Sequence, residues 1–191
     1  MEQESKDEVM EYFNALYQVA KMVNRSLETS SVLGEIVRRV TESMNARASI
    51  LRLLESKGQK LALGASFGLS EGYLRKGPIE LSESRLDRRV MEGETVWIKD
   101  TQNDPAFQYG EEARAEGIKS VLAAPLFIED KVIGVLRVYA GDVRQFDHHD
   151  VQFLEAVANL SAIALDNARH HERLKIKCDL MAEHKYRLDD H

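Results

Sequence analysis

Two arginines stand inside the most apolar strand-like runs of the chain: Arg52 in Ile50-Leu51-Arg52-Leu53-Leu54 and Arg137 in Val135-Leu136-Arg137-Val138-Tyr139. A guanidinium offers five donors in a planar fork, which suits a carboxylate or a phosphate on a small ligand. The same residues also fit a plainer use, at a solvent-facing or helix-covered edge and paired with Asp or Glu, and both uses stay open. Tyr139 lies two residues beyond Arg137 and so shares its strand face, which makes Arg137 the better pocket candidate. Phe67, Tyr73, Trp97, Phe107 and Tyr109 fall in or beside loop-rich segments. Apolar walls with a few polar groups are the usual make-up of a ligand site, and Asp100, Thr101 and Ser120 would be such groups, with Leu122 among the walls. The aromatic residues serve equally well as plain filling over a sheet.

The other reactive side chains point away from catalysis. Cys178 is the only cysteine, so an intrachain disulfide, a cysteine metal cage and a CxxC redox pair are all excluded. His148-His149 and His170-His171 are adjacent pairs. Neighbours on a helix diverge by about 100°, so neither pair chelates on one face, and no Glu or His stands four residues beyond His149 or His171. Phosphate-cradling GxxxxGK[ST] and nucleophile-elbow patterns are absent. No catalytic residue, no metal and no identifiable cofactor are expected.

The chain that positions these residues has 191 residues, with 26 Lys and Arg against 32 Asp and Glu, a formal net charge of −6. That length buries a core of ordinary domain size. Mild acidity argues against nucleic acid as a partner, because phosphate contacts need a concentrated basic surface. No run reaches the roughly 20 apolar residues that span a bilayer. The start, Met1 to Glu8, is acidic and without an apolar h-region, so a cytoplasmic protein with no membrane association is expected. Its natural-looking start mildly favours a complete small protein over a piece of a larger sensor.

Apolar residues at Val9, Phe13, Leu16, Ala20, Val23 and Leu27 are spaced 4-3-4-3-4, a helical stripe. A second helix begins near Ser30 or Ser31, either of which caps free N–H groups. Residues 48–54 and 60–67 alternate as a hairpin around Lys57-Gly58-Gln59. A glycine- and proline-punctuated loop runs from Gly68 to Ile79. Short helices follow over 83–92 and 111–116, with a short strand at 95–98 between them. Residues 120–128 and 132–139, joined by Glu129-Asp130-Lys131, form the clearest hairpin. Asp147 then caps a long helix whose stripe is Phe153, Val157, Leu160, Ala164, Asn167, His171, Leu174, Cys178, Met181, Lys185 and Leu188. Antiparallel hairpins with helices outside them make an α+β fold.

A series of tracts in this order resembles the GAF family of small-molecule-sensing domains over roughly residues 16–173. They are Ala65-Ser66-Phe67-Gly68-Leu69, Lys76-Gly77-Pro78, Trp97-Ile98-Lys99-Asp100-Thr101, Asp104-Pro105, and 116–122. Pro125-Leu126, 132–139, Phe146 and 162–168 complete the series. The resemblance implies a central antiparallel sheet with the first, second and last helices on one face. Two excursions, 68–93 and 97–117, would enclose a pocket on the other. It places the first and last strands side by side, and so Arg52 near Arg137. Cyclic-nucleotide-binding members resemble an Asn-Lys followed by Phe-x-x-x-Asp-Glu. Here Phe146 and Asp150 are present, but Val151 replaces the Glu and Ala140-Gly141 the Asn-Lys. Bilin-binding members use a pocket cysteine, and the GAF-like methionine-sulfoxide reductases a cysteine nucleophile with a resolving partner. Cys178 on the terminal helix supplies neither.

Residues 147–188 as one helix would run roughly 60 Å, longer than a compact domain covers. A 4-3 stripe held over several heptads is a coiled-coil pattern, and polar Asn167, His171 and Lys185 in the seam would weaken it or fix its register. A homodimer is expected, with Phe13, Leu16, Ala20, Val23, Leu160, Ala164, Asn167, His171, Leu174, Cys178 and Met181 at its interface. The chain divides into a dimer helix over 1–29, a GAF domain over 30–168 and a distal coiled coil over 169–191. The expected function is a non-catalytic sensor that binds an unidentified small molecule and signals through its terminal helices to a protein partner. A pure dimerisation module with a filled pocket is the second reading, and an enzyme the third.

Overall fold

The computed structural model describes residues 2–23, 29–75, 77–104, 107 and 110–189. Leu27, Lys76, Pro105 and Tyr109, named above, lie outside the described residues, as do the side chains of Lys185 and Leu188. The elements in order are α1 (Glu2–Val23), α2 (Thr29–Ser43), β1 (Ala48–Leu54), β2 (Lys60–Phe67), α3 (Glu71–Leu74) and β3 (Ile79–Glu80). Then come α4 (Arg85–Met91), β4 (Val96–Ile98), α5 (Gly110–Glu116), β5 (Ser120–Ile128), β6 (Lys131–Ala140) and α6 (His148–Asp189). One antiparallel six-stranded sheet has the order β3-β2-β1-β6-β5-β4. The fold is α+β, and β1 and β6 are neighbours, as the resemblance implied.

The sheet divides the interior into two cores. On the long-helix face, Leu51, Leu122, Ala124, Leu126, Leu136, Val138 and Ala140 pack against α1, α2 and α6. On the excursion face, Ala48, Ile50, Val121, Ala123, Val135 and Tyr139 meet Tyr73 of α3, Leu86 and Val90 of α4, and Ala113 of α5. Two glycines set the geometry of β1. Gly64 is the unpaired residue of a bulge between the pairs Leu51↔Ala65 and Arg52↔Leu63. A Cβ there would stand 2.9 Å from Leu51 Cδ2. The bulge reverses the parity of β2, so Leu61 faces the excursions while Ala65 faces the long helices. At Gly134 of β6 a Cβ would stand 2.3 Å from the Arg52 carbonyl oxygen, so only glycine lets the two central strands approach.

α1 buries Tyr12, Ala15, Val19 and Val23, a line offset from the predicted stripe. Phe13 is 64% exposed and Leu16 and Ala20 are half-buried. The reason is Tyr12. Its ring stacks flat on Phe153 (4.3 Å, 9°) and its hydroxyl donates to Asp150 Oδ1 at 2.6 Å. An aromatic with a polar tip anchors the helix where a purely apolar pattern does not look for it. In α6, Phe153, Leu154, Val157, Ala158, Ala162 and Leu165 are core. Leu160 is half-buried and Ala164 buried against the same core, so these two, like Val23, already have partners within the chain. From Arg169 to Asp179 every residue is exposed. Asp147 and Asp150 bond reciprocally at the start of α6, each backbone N–H to the other's carboxylate at 3.0 and 2.9 Å. Phe146, the matching aromatic of the cyclic-nucleotide pattern, is buried in the long-helix core, and the matching Asp150 is spent on this cap and on Tyr12.

Candidate functional site

The β1/β6 register sets Arg52 opposite Val135 and Ile50 opposite Arg137, so the two arginines are diagonal neighbours on the excursion face. Diagonal positions put their Cβ atoms roughly 7 Å apart. Small Ala123 of β5 faces Arg137 and leaves its side chain room. Both residues are buried, at 4% exposure each. The question left open by the sequence is answered differently for the two. Arg137 has a carboxylate partner, Asp87 of α4, which is itself fully buried and accepts from Nη2. Arg52 has none among the described residues, and its Nη1 donates to the carbonyl oxygens of Leu61 and Gly77, each at 3.1 Å.

α4 holds Asp87 in place through its own N-cap. Ser84 Oγ donates to Asp87 Oδ2 at 2.5 Å and accepts from the Asp87 N–H at 3.3 Å. Tyr139 lies beside Arg137, its hydroxyl 3.5 Å from Nη1, and meets the Tyr73 ring edge-on at 6.1 Å. Burial pulls the Arg137 pKa down, but the Asp87 charge and the hydrogen bonds to Asp87 and Tyr139 outweigh it and the net shift is upward. Burial and the Arg137 charge hold the Arg52 pKa below its usual value. Burial, then Tyr139, pushes that of Tyr73 up. Among the described residues Asp87 balances one of two guanidinium groups, which leaves one buried positive charge at this place. The Nε–H of Arg52 and of Arg137 are both buried and without an acceptor.

Of the residues singled out from sequence, the structure therefore brings together Tyr73, Arg137 and Tyr139, with half-buried Phe107 packed on the same cluster. Four stand on the opposite side of the sheet. Trp97 pairs with Leu122, which is buried in the long-helix core. Phe67 pairs with Ser49, whose hydroxyl bonds the Val37 carbonyl of α2 at 2.6 Å. Ser120 lies opposite Ala140 of the same core, and its hydroxyl donates to the Lys99 carbonyl at 2.6 Å, lies 2.9 Å from the Asp142 carbonyl as an alternative acceptor, and accepts from the Arg144 N–H at 2.9 Å. Strand alternation puts these side chains away from the arginines. Thr101 is buried and donates to the Ile118 carbonyl at 3.0 Å. Asp100 closes its own turn by accepting from Gln102 N and Asn103 Nδ2, and those bonds, Asn103 first, hold its pKa down. Ser84 and Asp87 were not singled out. Their signal is the Ser84-Arg85-Leu86-Asp87 spacing of a helix start box, which locates a cap but not the arginine it reaches.

Among the described residues no group of three or more His, Cys, Asp or Glu could hold a metal, and no helix is long and apolar enough to cross a membrane.

A family model for the GAF domain matches residues 26–166. The Nif-specific regulatory protein of Herbaspirillum seropedicae is 24% identical over 190 residues, covering 92% of this chain and 34% of that protein. The nitrogen fixation protein VnfA of Azotobacter vinelandii is 25% identical over 158 residues, 79% of this chain and 30% of that one. The chain thus spans about a third of the length of these two relatives. Among solved structures, the GAF domain of a phosphoenolpyruvate-protein phosphotransferase from Coxiella burnetii superposes with a TM-score of 0.77 at 21% identity, covering 86% of this chain and 98% of that one.

Proposed function

The chain belongs to the GAF domain family, and from that premise we propose that it is a non-catalytic sensory module. In this reading a small molecule binds on the excursion face, and its presence is passed through the terminal helices of a homodimer to a signalling protein. The observation that carries the reading is the division of α6. Its first half is core, while beyond it Leu174, Ile176 and Met181 stand 61%, 52% and 74% exposed on a helix that runs to Asp189. A stretch of helix with apolar residues and no partner of its own chain needs another surface to lie against. α1 adds Val9, Met10, Phe13 and Tyr17, exposed on the side of that helix away from the sheet. A groove of about 320 Å³ between α1 and α6, lined by Val9, Phe13, Leu16 and Gln152 among others, lies beside them. A second copy of the two helices would cover this surface. The relative named as a Nif-specific regulatory protein supports a regulatory setting, and nitrogen fixation stands only in the name of the second relative.

Native mass spectrometry of freshly purified protein, against denaturing conditions, tests both parts. A dimer carrying mass that leaves on denaturation supports the reading and weighs the ligand. A clean monomer removes the helical assembly from it. A second reading, an interaction module with a filled face, is favoured by the Asp87 carboxylate already seated on Arg137. A clean dimer with no retained mass would select it.

A further inference from the structure

We infer that the excursion face carries a carboxylate-binding subsite centred on Arg52, beside the Arg137–Asp87 pair, and that the ligand of this module is a small organic acid. The inference rests on the sensor reading of this face and names the chemistry of its ligand. A buried guanidinium with only carbonyl partners is costly to keep, because neutral acceptors do not cancel its charge. Arg52 is in that position, and the one carboxylate within the cluster is committed to Arg137 and to its own cap. Each arginine also keeps a buried Nε–H with no acceptor. A carboxylate has two oxygens, so one placed between the side chains supplies an acceptor to each and removes the surplus charge.

Charge selects carboxylate over phosphate. The surplus is a single positive charge, which one carboxylate cancels, whereas a phosphate monoester carries about −1.5 to −2 near neutrality and would leave a buried negative excess. The site's own chemistry agrees, since the group that Arg137 holds from within the chain is a carboxylate. Access comes from the β2 side. Leu63, opposite Arg52 in register and on the same face, is 48% exposed, so solvent reaches the sheet one strand from Arg52, which is itself 4% exposed.

Nitrogen-15 NMR of the arginine Nε–H signals reads the two groups directly, and it detects weak binding. Sodium acetate is titrated into the full chain, with sodium chloride at equal ionic strength, neutral acetamide of similar shape, and inorganic phosphate as separate arms. Arg52→Lys and Arg52→Met assign the signals, and the amide spectrum of each variant reports its fold. The expected result is saturable movement of both Nε–H signals with acetate alone, and binding about tenfold weaker or more in Arg52→Met. Movement no greater than with chloride, equal movement with acetamide, or movement with phosphate only would overturn the inference. The sensor reading fails separately: an uncharged molecule retained in the native mass spectrum, with no response to acetate, keeps the sensor and removes the acid.

Discussion

Replacing Asp87 with Asn keeps the size of the side chain and an acceptor for Arg137, and removes only the charge. The Asp87–Arg137 pair is buried at 0% and 5% side-chain exposure, so solvent screens it little. At an effective dielectric constant of 20, a contact at about 4 Å is worth roughly 4 kcal/mol, and the Asp87 charge also favours the Arg52 cation. The recovered desolvation of one carboxylate offsets part of this, while Arg137 is left as a buried cation without its counter-charge. The net expected loss is about 3–5 kcal/mol, the range seen when one member of a buried pair is removed. For a chain of this size each kcal/mol moves the melting temperature by about 2–4 °C, so a drop of roughly 10 °C is expected by calorimetry, with a matching shift in a urea melt. The second half of the prediction is the coupling. Arg52→Met in the Asp87→Asn background removes one of two uncompensated cations, and it should restore about 2 kcal/mol. Arg137→Met with Asp87→Leu should cost less than Asp87→Asn alone, because a buried pair exchanged for an apolar contact of similar volume is near neutral. A loss under about 1 kcal/mol for Asp87→Asn, or strict additivity with Arg52→Met, would refute the account of a shared, poorly screened charge cluster.

Tyr12→Phe keeps the stack on Phe153 but takes the donor from buried Asp150 Oδ1. A loss of about 1–2 kcal/mol is expected, read as faster amide exchange in α1 with the sheet unchanged. Gly134→Ala would press a methyl group against the Arg52 carbonyl at 2.3 Å. Backbone contacts do not yield as side chains do, so a loss of about 3 kcal/mol or failure to fold is expected, read by circular dichroism. Leu174→Glu with Met181→Glu charges two exposed positions that make no use of the chain's own core. If the proposed homodimer forms through these helices, the pair should convert it to monomer in light scattering while the melting temperature of the sheet domain stays within about 2 °C.

What the sequence disclosed about the fold followed from how much pattern each element carries. The β5–β6 hairpin repeats apolar residues over two long runs and is bounded by a turn, with Glu129 at φ 52. β3 has two residues and exists through the pairs Lys60↔Glu80 and Leu61↔Ile79, so no periodicity announces it. α3, four residues capped by Ser70, is likewise too short to show a helical period and reads as loop. For the site, strand alternation linked Arg137 to Tyr139 correctly, but it cannot say which face a strand presents. Phe67 was assigned to the pocket because its tract sits beside the first excursion. The single residue Gly64, by adding one place to β2, turns it to the other face. A lone glycine inside a strand is a bulge signal that carries that information in principle. The Asp87 contact was not legible, because which buried cation a capping carboxylate meets depends on how α4 lies across β6, a tertiary fact with no local trace.

Ser120 is the instructive case. Its expected place was the pocket, and its actual one is a joint between the excursion and α6. Its hydroxyl donates to the Lys99 carbonyl on one side and accepts from the Arg144 N–H on the other. Thr101 reinforces the first side through its N–H to the Lys119 carbonyl at 2.9 Å. From Arg144 the chain passes Phe146, whose ring the guanidinium covers at 4.8 Å, into the Asp147–Asp150 cap, and Asp150 receives the Tyr12 hydroxyl of α1. Bonds therefore run from the first residues of the second excursion to the start of α6 and on to the middle of α1. The sheet offers a second connection through β6, where Arg137 faces the excursions while Leu136 and Val138 face the long helices. But β6 is held on both edges by β1 and β5, so its side chains cannot shift without moving the whole sheet. Coupling needs an element with two arrangements that both sites can bias, and the run of bonds through Ser120 is a contiguous connection on which such an element is to be sought, beside the one through β6.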